Sequence, residues 1–124
     1  MNTGNTVVTN ELARRLFMHK HALAEAPTGA AKGEDLLSLI QRLGFVQVDS
    51  INTVERAHHM ILRARRSGYQ AKNLAPLLEK HHSLFEHWTH DASVIPSAYY
   101  PHWRMRFDRD SNKLRERWKA WQRG

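Results

Sequence analysis

The most informative segment of the sequence is short and is predicted to be extended: Phe45-Val46-Gln47-Val48-Asp49-Ser50-Ile51-Asn52. It follows a predicted helix that ends at Gly44, and its residues alternate in character. In a strand, Val46 and Val48 point one way, and Gln47 and Asp49 share the other side. The Cα atoms of residues two apart on a strand lie about 6.6–7 Å from each other. An amide and a carboxylate presented side by side can position a water molecule or stabilise a nearby positive charge.

The composition is that of a basic globular domain. The chain has 124 residues, enough for one domain with a real core. Nineteen Lys and Arg stand against twelve Asp and Glu, which gives a net charge of +7. This excess favours a polyanionic partner, with nucleic acid first and an acidic membrane surface second. A solvated basic surface without a partner fits the charge nearly as well.

Several classes of protein are excluded or disfavoured. The chain has no cysteine, which excludes disulfide frameworks, thiolate zinc sites and cysteine nucleophiles. The first residues lack a basic segment followed by an apolar run, so they do not resemble a signal peptide. No stretch approaches the roughly 18 apolar residues that a membrane span requires. We therefore expect a cytoplasmic protein that does not enter a membrane.

Three helices are predicted in the first half of the chain. The first has Thr9 as its N-cap and runs to about residue 24, with a stripe at Leu12, Ala13, Leu16, Phe17 and Leu23. After a loop at residues 25–33, the second spans residues 34–43, buries Leu36, Leu37, Ile40 and Leu43, and ends at Gly44. The third follows the strand from Asn52 or Thr53 to about residue 66, with Val54, Ala57, Ile61 and Ala64 on its inner side.

A small β-hairpin is predicted in the second half. A short helix around residues 74–80 comes first, with Pro76 in its first turn. Two strands follow at residues 84–89 and 92–95, joined by a turn at His90-Asp91. Helix, helix, strand, helix and hairpin is close to the order of a winged helix-turn-helix. We therefore predict a mainly α fold with a small β-hairpin (α+β), a winged helix-turn-helix in residues 1–96.

Residues 97–124 are predicted to form a separate amphipathic helix. Its apolar stripe is interrupted by Asp110 and Ser111 and consists of Trp103, Phe107, Leu114, Trp118 and Trp121. A stripe with this many aromatic side chains is expected to pack against another surface. Either the helix packs back on the domain, or it awaits missing C-terminal domains or a second polypeptide.

The polar motifs have competing interpretations. Gln47 can face solvent, and Asp49 or Ser50 can help to cap the third helix, so the spacing of Gln47 and Asp49 alone is weak evidence of catalysis. On the third helix, a shared face for phosphate contact is favoured over a merely solvated one, and it consists of Arg56, His59, Arg63 and Arg66. His90-Asp91 is either an acid–base pair or a simple turn, and the turn is favoured. His90 at the tip of this turn is a further candidate for DNA contact.

The nine histidines lack the spacing of a metal site. We expect no metal and no other cofactor.

The run LGFVQVDSINTVERAHHMILRARRSGY at residues 43–69, followed by FEHWTHDASVIP at residues 85–96, resembles the YcaQ/AlkZ family of bacterial DNA glycosylases, which unhook interstrand crosslinks. The resemblance implies that Gln47 and Asp49 are the catalytic Gln-x-Asp motif. The segment from Glu86 to Ala92 is similar to the family's second block. Family members are about three times longer, with tandem winged-helix domains, so the resemblance covers their N-terminal third.

The resemblance implies a specific chemistry and a specific partner. Alkylation at N7 makes guanine a cationic leaving group, so no acid is needed to protonate it. Asp49 would stabilise the sugar cation and Gln47 would hold water or sugar. The implied substrate is alkylated or crosslinked double-stranded DNA. The alternatives are a non-catalytic winged-helix DNA-binding protein or regulator, and an interaction module that uses the tryptophan helix.

Overall fold

The computed structural model of the chain describes residues 7–49 and 54–122. These residues form a mainly helical α+β fold with a small antiparallel sheet, which is the predicted winged-helix-like fold class. The helices are α1 (Asn10–Lys20), α2 (Gly33–Leu43), α3 (Ala57–Arg63) and α4 (Tyr100–Trp121). The strands are β1 (Val46–Gln47), β2 (Leu84–Trp88) and β3 (Ala92–Pro96). None of the helices in these ranges is both long and apolar enough to cross a bilayer.

Helix α1 begins as predicted but ends early and lies open. The Thr9 hydroxyl accepts a hydrogen bond from the backbone N–H of Leu12 over 3.2 Å, which is the expected N-cap. The helix ends at Lys20 rather than near residue 24. Its apolar stripe is largely uncovered by the described residues, since Leu12, Leu16 and Phe17 are each more than half exposed.

Helix α2 supplies the centre of the core. Leu36, Leu37 and Ile40 are buried as predicted, Leu39 is buried as well, and Leu43 is only partly buried. The helix ends at Gly44, where φ is +86°, a backbone conformation that L side chains rarely adopt. This sharp end turns the chain directly into β1.

The sheet has the order β1-β3-β2 and is antiparallel throughout. The two hairpin strands lie within one residue of their predicted ends. The first strand is shorter than predicted: only Val46 and Gln47 pair with β3, and the Val48 N–H donates to the Ala92 carbonyl over 2.8 Å. The rest of the predicted strand, residues 50–52, lies outside the described residues.

Helix α3 differs most from its prediction. It begins at Ala57, with Arg56 as its N-cap, and the predicted caps Asn52 and Thr53 lie outside the described residues. The predicted inner side is wrong at both ends, since Val54 and Ala64 are exposed. Ile61 packs against the core as predicted, and the buried side chains are His58 and Leu62 on α3 and Arg65 just after it.

Hydrogen bonds explain why the charged Arg65 is buried. Its Nε donates to the His21 carbonyl over 2.7 Å, and its Nη1 donates to the Ile61 carbonyl over 2.8 Å. The buried guanidinium is therefore hydrogen-bonded, as burial of a charge requires. It ties the end of α3 to the segment after α1.

Two short turns of helix fill the gap between α3 and the hairpin. A 3₁₀ turn spans Ala71–Asn73, and a π-helical turn spans Pro76–Lys80 with the proline at its start, close to the predicted short helix. Leu74 and Leu77 enter the core. The segment therefore contributes two leucines to the hydrophobic core.

Helix α4 packs on the hairpin with its first half only. The Phe85 ring on β2 meets the rings of Tyr100 and Trp103 at 5.6 and 6.1 Å. The helix continues unbroken past Asp110 and Ser111, the two polar residues that interrupt its apolar stripe. Beyond that point the stripe is exposed at Leu114, Trp118 and Trp121. The division into residues 1–96 and 97–124 stays a prediction.

Candidate active site and nucleic-acid interface

Gln47 lies at the junction of β1 and the hairpin. It pairs with Ser93 of β3 and is half-buried, while the preceding Val46 is buried in the core. Its side-chain Nε2 donates to Oδ2 of Asp91 over 3.2 Å. The amide nitrogen therefore has a hydrogen-bond partner within the protein.

Asp91 is itself held firmly in the hairpin turn. Its Oδ1 accepts from the backbone N–H of Ala92 over 2.8 Å. Its carbonyl oxygen accepts from the Thr89 N–H at 2.9 Å and from the Ser93 hydroxyl at 3.1 Å. The turn predicted for His90-Asp91 is confirmed, but Asp91 also reaches across the sheet to Gln47. Sequence reasoning missed this second role because it depends on strand pairing.

Asp49 lies just beyond β1. It is half-buried, as are Gln47 and Val48, and Val48 packs against the core. That Gln47 and Asp49 share a side stays a prediction. The charge of Asp49 also acts on His58 at the start of α3, where it favours the protonated imidazole.

His58 connects this strand to α3. Its side chain is buried, and within the described residues its Nδ1 has no hydrogen-bond partner. Burial lowers the pKa of His58, and the charges of His59 and Arg56 lower it further, against smaller opposing effects of Glu55 and Asp49. The histidine is therefore held neutral beside the strand that carries the candidate catalytic pair.

Three of the four residues predicted for DNA contact on the third helix lie on the exposed side of α3 or at its N-cap. Arg56 and Arg63 are exposed, and His59 is half-buried with its Nδ1 2.8 Å from the Tyr69 hydroxyl. Burial and the charge of Glu55 raise the pKa of Tyr69 to about 12, so this hydroxyl stays protonated at neutral pH. Beside it, a cleft of about 290 Å³ is lined by residues that include His59, Met60, Arg63 and Gln70.

Arg66 is not part of that surface. Its guanidinium lies 3.8 Å from the Glu25 carboxylate, and Nη1 donates to the Arg65 carbonyl. A Cβ at Gly29 would come within 2.6 Å of its Nε, so the side chain packs tightly on the loop before α2. The predicted helical face assumed a helix through residue 66, whereas α3 ends at Arg63.

His90 lies at the tip of the hairpin. It is exposed, its ring centroid is 5.8 Å from that of Phe45, and its Nδ1 lies 3.2 Å from the Thr89 hydroxyl. It is part of the turn whose Asp91 side chain accepts a hydrogen bond from Gln47. Within the described ranges, no three His, Asp or Glu side chains come together in an arrangement that could hold a metal ion.

The protein is thus basic and winged-helix-like, with an amide and an acid at the end of its first strand. A family model described as DNA glycosylase AlkZ-like matches residues 40–124, and the chain belongs to this family. The match runs from the end of α2 through the sheet, α3 and α4. No solved structure matches the chain.

Proposed function

We propose that the chain is a DNA glycosylase that hydrolyses the N-glycosidic bond of N7-alkylated or interstrand-crosslinked guanine in double-stranded DNA. The observation that carries this proposal is that Gln47 and Asp49 are both half-buried where β1 ends, with the Gln47 amide bonded to Asp91. Membership of the AlkZ-like DNA glycosylase family supports it.

The chemistry needs only modest help from the protein. Water attacks C1′ of the sugar as the C1′–N9 bond breaks, and the bonding electron pair neutralises the cationic alkylguanine. Asp49 is suited to stabilise the oxocarbenium-like sugar and to accept a proton from the water, as carboxylates do in glycoside hydrolysis. Gln47 holds the water or the sugar by a hydrogen bond.

DNA would be held by the exposed basic side chains on either side of this pair. Arg56 and Arg63 can reach phosphates from α3, and His90 can contact the duplex from the hairpin. Half-burial of the candidate pair also suits the substrate. A base tethered to the opposite strand cannot rotate into a deep pocket, so an open site is required.

We also propose that residues 1–96 form the catalytic and DNA-binding unit and that residues 97–124 connect it to further domains or to a second polypeptide. The exposure of Leu114, Trp118 and Trp121 supports this division.

A second candidate is a winged-helix DNA-binding protein without catalysis. The exposed arginines of α3 and the adjoining hairpin favour it, because duplex docking needs nothing more. The two functions separate in one experiment: incubation with a duplex that contains N7-methylguanine or a mustard crosslink, followed by alkaline cleavage of abasic sites. The glycosylase yields strand breaks at the modified guanine. Tight binding without breaks would instead establish the non-catalytic protein.

A further inference from the structure

The hydrogen bond between Gln47 and Asp91 fixes which way the Gln47 amide points. An ionised carboxylate only accepts hydrogen bonds, so the group of Gln47 that faces Asp91 must be its NH₂. The amide carbonyl oxygen, Oε1, then lies on the opposite end of the planar group. Among the described residues, this oxygen accepts no hydrogen bond.

The Asp91 side chain, which imposes this orientation, is itself held in place by hydrogen bonds. Asp91 uses its other carboxylate oxygen for the Ala92 N–H, and its backbone carbonyl is held by Thr89 and Ser93. Pairing of Gln47 with Ser93 in the sheet sets the distance between the two side chains. Side chain and partner are therefore fixed by separate parts of the same sheet.

We propose that Asp91 is a positioning residue, which orients the Gln47 amide so that its carbonyl oxygen is presented to the reacting water or to the positive sugar. This inference rests on the proposed glycosylase function. A carbonyl oxygen carries partial negative charge and stabilises a developing cation, whereas an NH₂ group in the same place would oppose it. Asp91 thus determines which end of the Gln47 amide, the carbonyl or the NH₂, faces the substrate.

The substitution Asp91→Asn reverses this orientation while keeping the turn. The side-chain oxygen of the new asparagine continues to accept from the Ala92 N–H, so its NH₂ takes the place of Oδ2 and faces Gln47. Two NH₂ groups cannot bond to each other, and the Gln47 amide turns over. Adding Gln47→Glu restores the pattern, because the glutamate accepts from the asparagine NH₂ and presents its second oxygen to the substrate.

The test compares four proteins: the parent, Asp91→Asn, the double variant Gln47→Glu/Asp91→Asn, and the matched control Asp108→Asn on the exposed side of α4. Single-turnover release of N7-methylguanine is measured at saturating protein, alongside DNA affinity and the melting temperature. We expect Asp91→Asn to slow release by about 10²-fold. Affinity and melting temperature stay at the parent values, and the double variant recovers most of the rate. A merely structural role would not produce this recovery.

A second measurement does not depend on activity. The ¹H–¹⁵N resonances of the Gln47 side-chain amide should shift in Asp91→Asn and stay in place in Asp108→Asn. If the parent releases no base, the glycosylase proposal fails, and the positioning of Gln47 is then judged by these resonances alone. Release at the parent rate by Asp91→Asn, or Gln47 resonances that ignore this substitution, would overturn the inference.

Discussion

Gln47 on β1 and Asp91 in the hairpin turn are 44 residues apart in the chain and are joined by a hydrogen bond of 3.2 Å. The antiparallel pairing of β1 with β3 brings them together, with Gln47 opposite Ser93. These residues belong to the two segments on which the resemblance to the DNA glycosylases rests. The sheet thus brings two distant pieces of sequence together at the candidate site.

Asp49→Asn should strongly slow base release without weakening DNA binding. The substitution keeps the size of the side chain but removes the charge that would stabilise the sugar cation, so we expect a loss of about 10²-fold or more in the single-turnover rate. Loss of a negative charge cannot weaken attraction to phosphates. Release of N7-methylguanine and fluorescence anisotropy of the same duplex measure the two effects, with Asp108→Asn as control. Excision by Asp49→Asn at the parent rate would contradict the catalytic assignment.

Arg63→Ala should weaken binding to all duplexes. Arg63 is exposed on α3. The plot of log Kobs against log salt concentration has a negative slope, and loss of one phosphate contact makes that slope less steep by about 1. The matched variant is Arg66→Ala, whose guanidinium is engaged by Glu25 and packed against Gly29. It should leave the salt slope unchanged and lower the melting temperature instead. Equal salt slopes for the two variants would show that the arginines do not differ in this way.

Two leucine truncations test where the core lies. Leu36 on α2 is fully buried, and Leu36→Ala should lower the free energy of unfolding by about 2–5 kcal/mol. Leu16 on α1 is half exposed, so Leu16→Ala should change it by no more than about 0.5 kcal/mol. Urea denaturation measures both. A large cost at Leu16 would mean that the apolar stripe of α1 is covered in solution, by a second copy of the chain or another molecule.

Local chemistry made much of the fold predictable. Thr9 supplies an N-cap hydroxyl, Gly44 supplies the positive φ that ends α2, and the turn at His90-Asp91 separates two alternating runs. Each of these signals acts over a few residues, and the structure places each element where its signal lies.

The inward-facing residues of α3 and of the turn after it could not all be predicted in the same way. A hydrophobic pattern counts His58 and Arg65 as surface residues, yet both are buried, and the hydrogen bonds that satisfy Arg65 come partly from the distant His21 carbonyl. The site shows the same limit. Alternation predicts that Gln47 and Asp49 share a side, but only the register of β1 on β3 reveals Asp91 as a partner.

Protonation of His58 should make the fold less stable in mild acid. Burial, with the charges of His59 and Arg56, lowers the pKa of this histidine in the folded chain below its ordinary value of 6.5. Between these two pKa values the unfolded chain binds more protons, so the free energy of unfolding falls as the pH drops through 6.5 and levels off below the folded pKa. The slope from this single proton cannot exceed about 1.4 kcal/mol per pH unit.

The variant His58→Phe isolates this contribution, because phenylalanine fills the buried space and does not titrate. Urea denaturation between about pH 7.5 and pH 5 should show a shallower fall for His58→Phe than for the parent, while the exposed control His81→Gln keeps the parent slope. In Asp49→Asn the pKa of His58 should drop further, since the charge of Asp49 raises it in the parent. An NMR titration of the imidazole measures that shift directly. If the free energy of unfolding fell equally with pH in His58→Phe and in the parent, protonation of His58 would not be the cause of the fall.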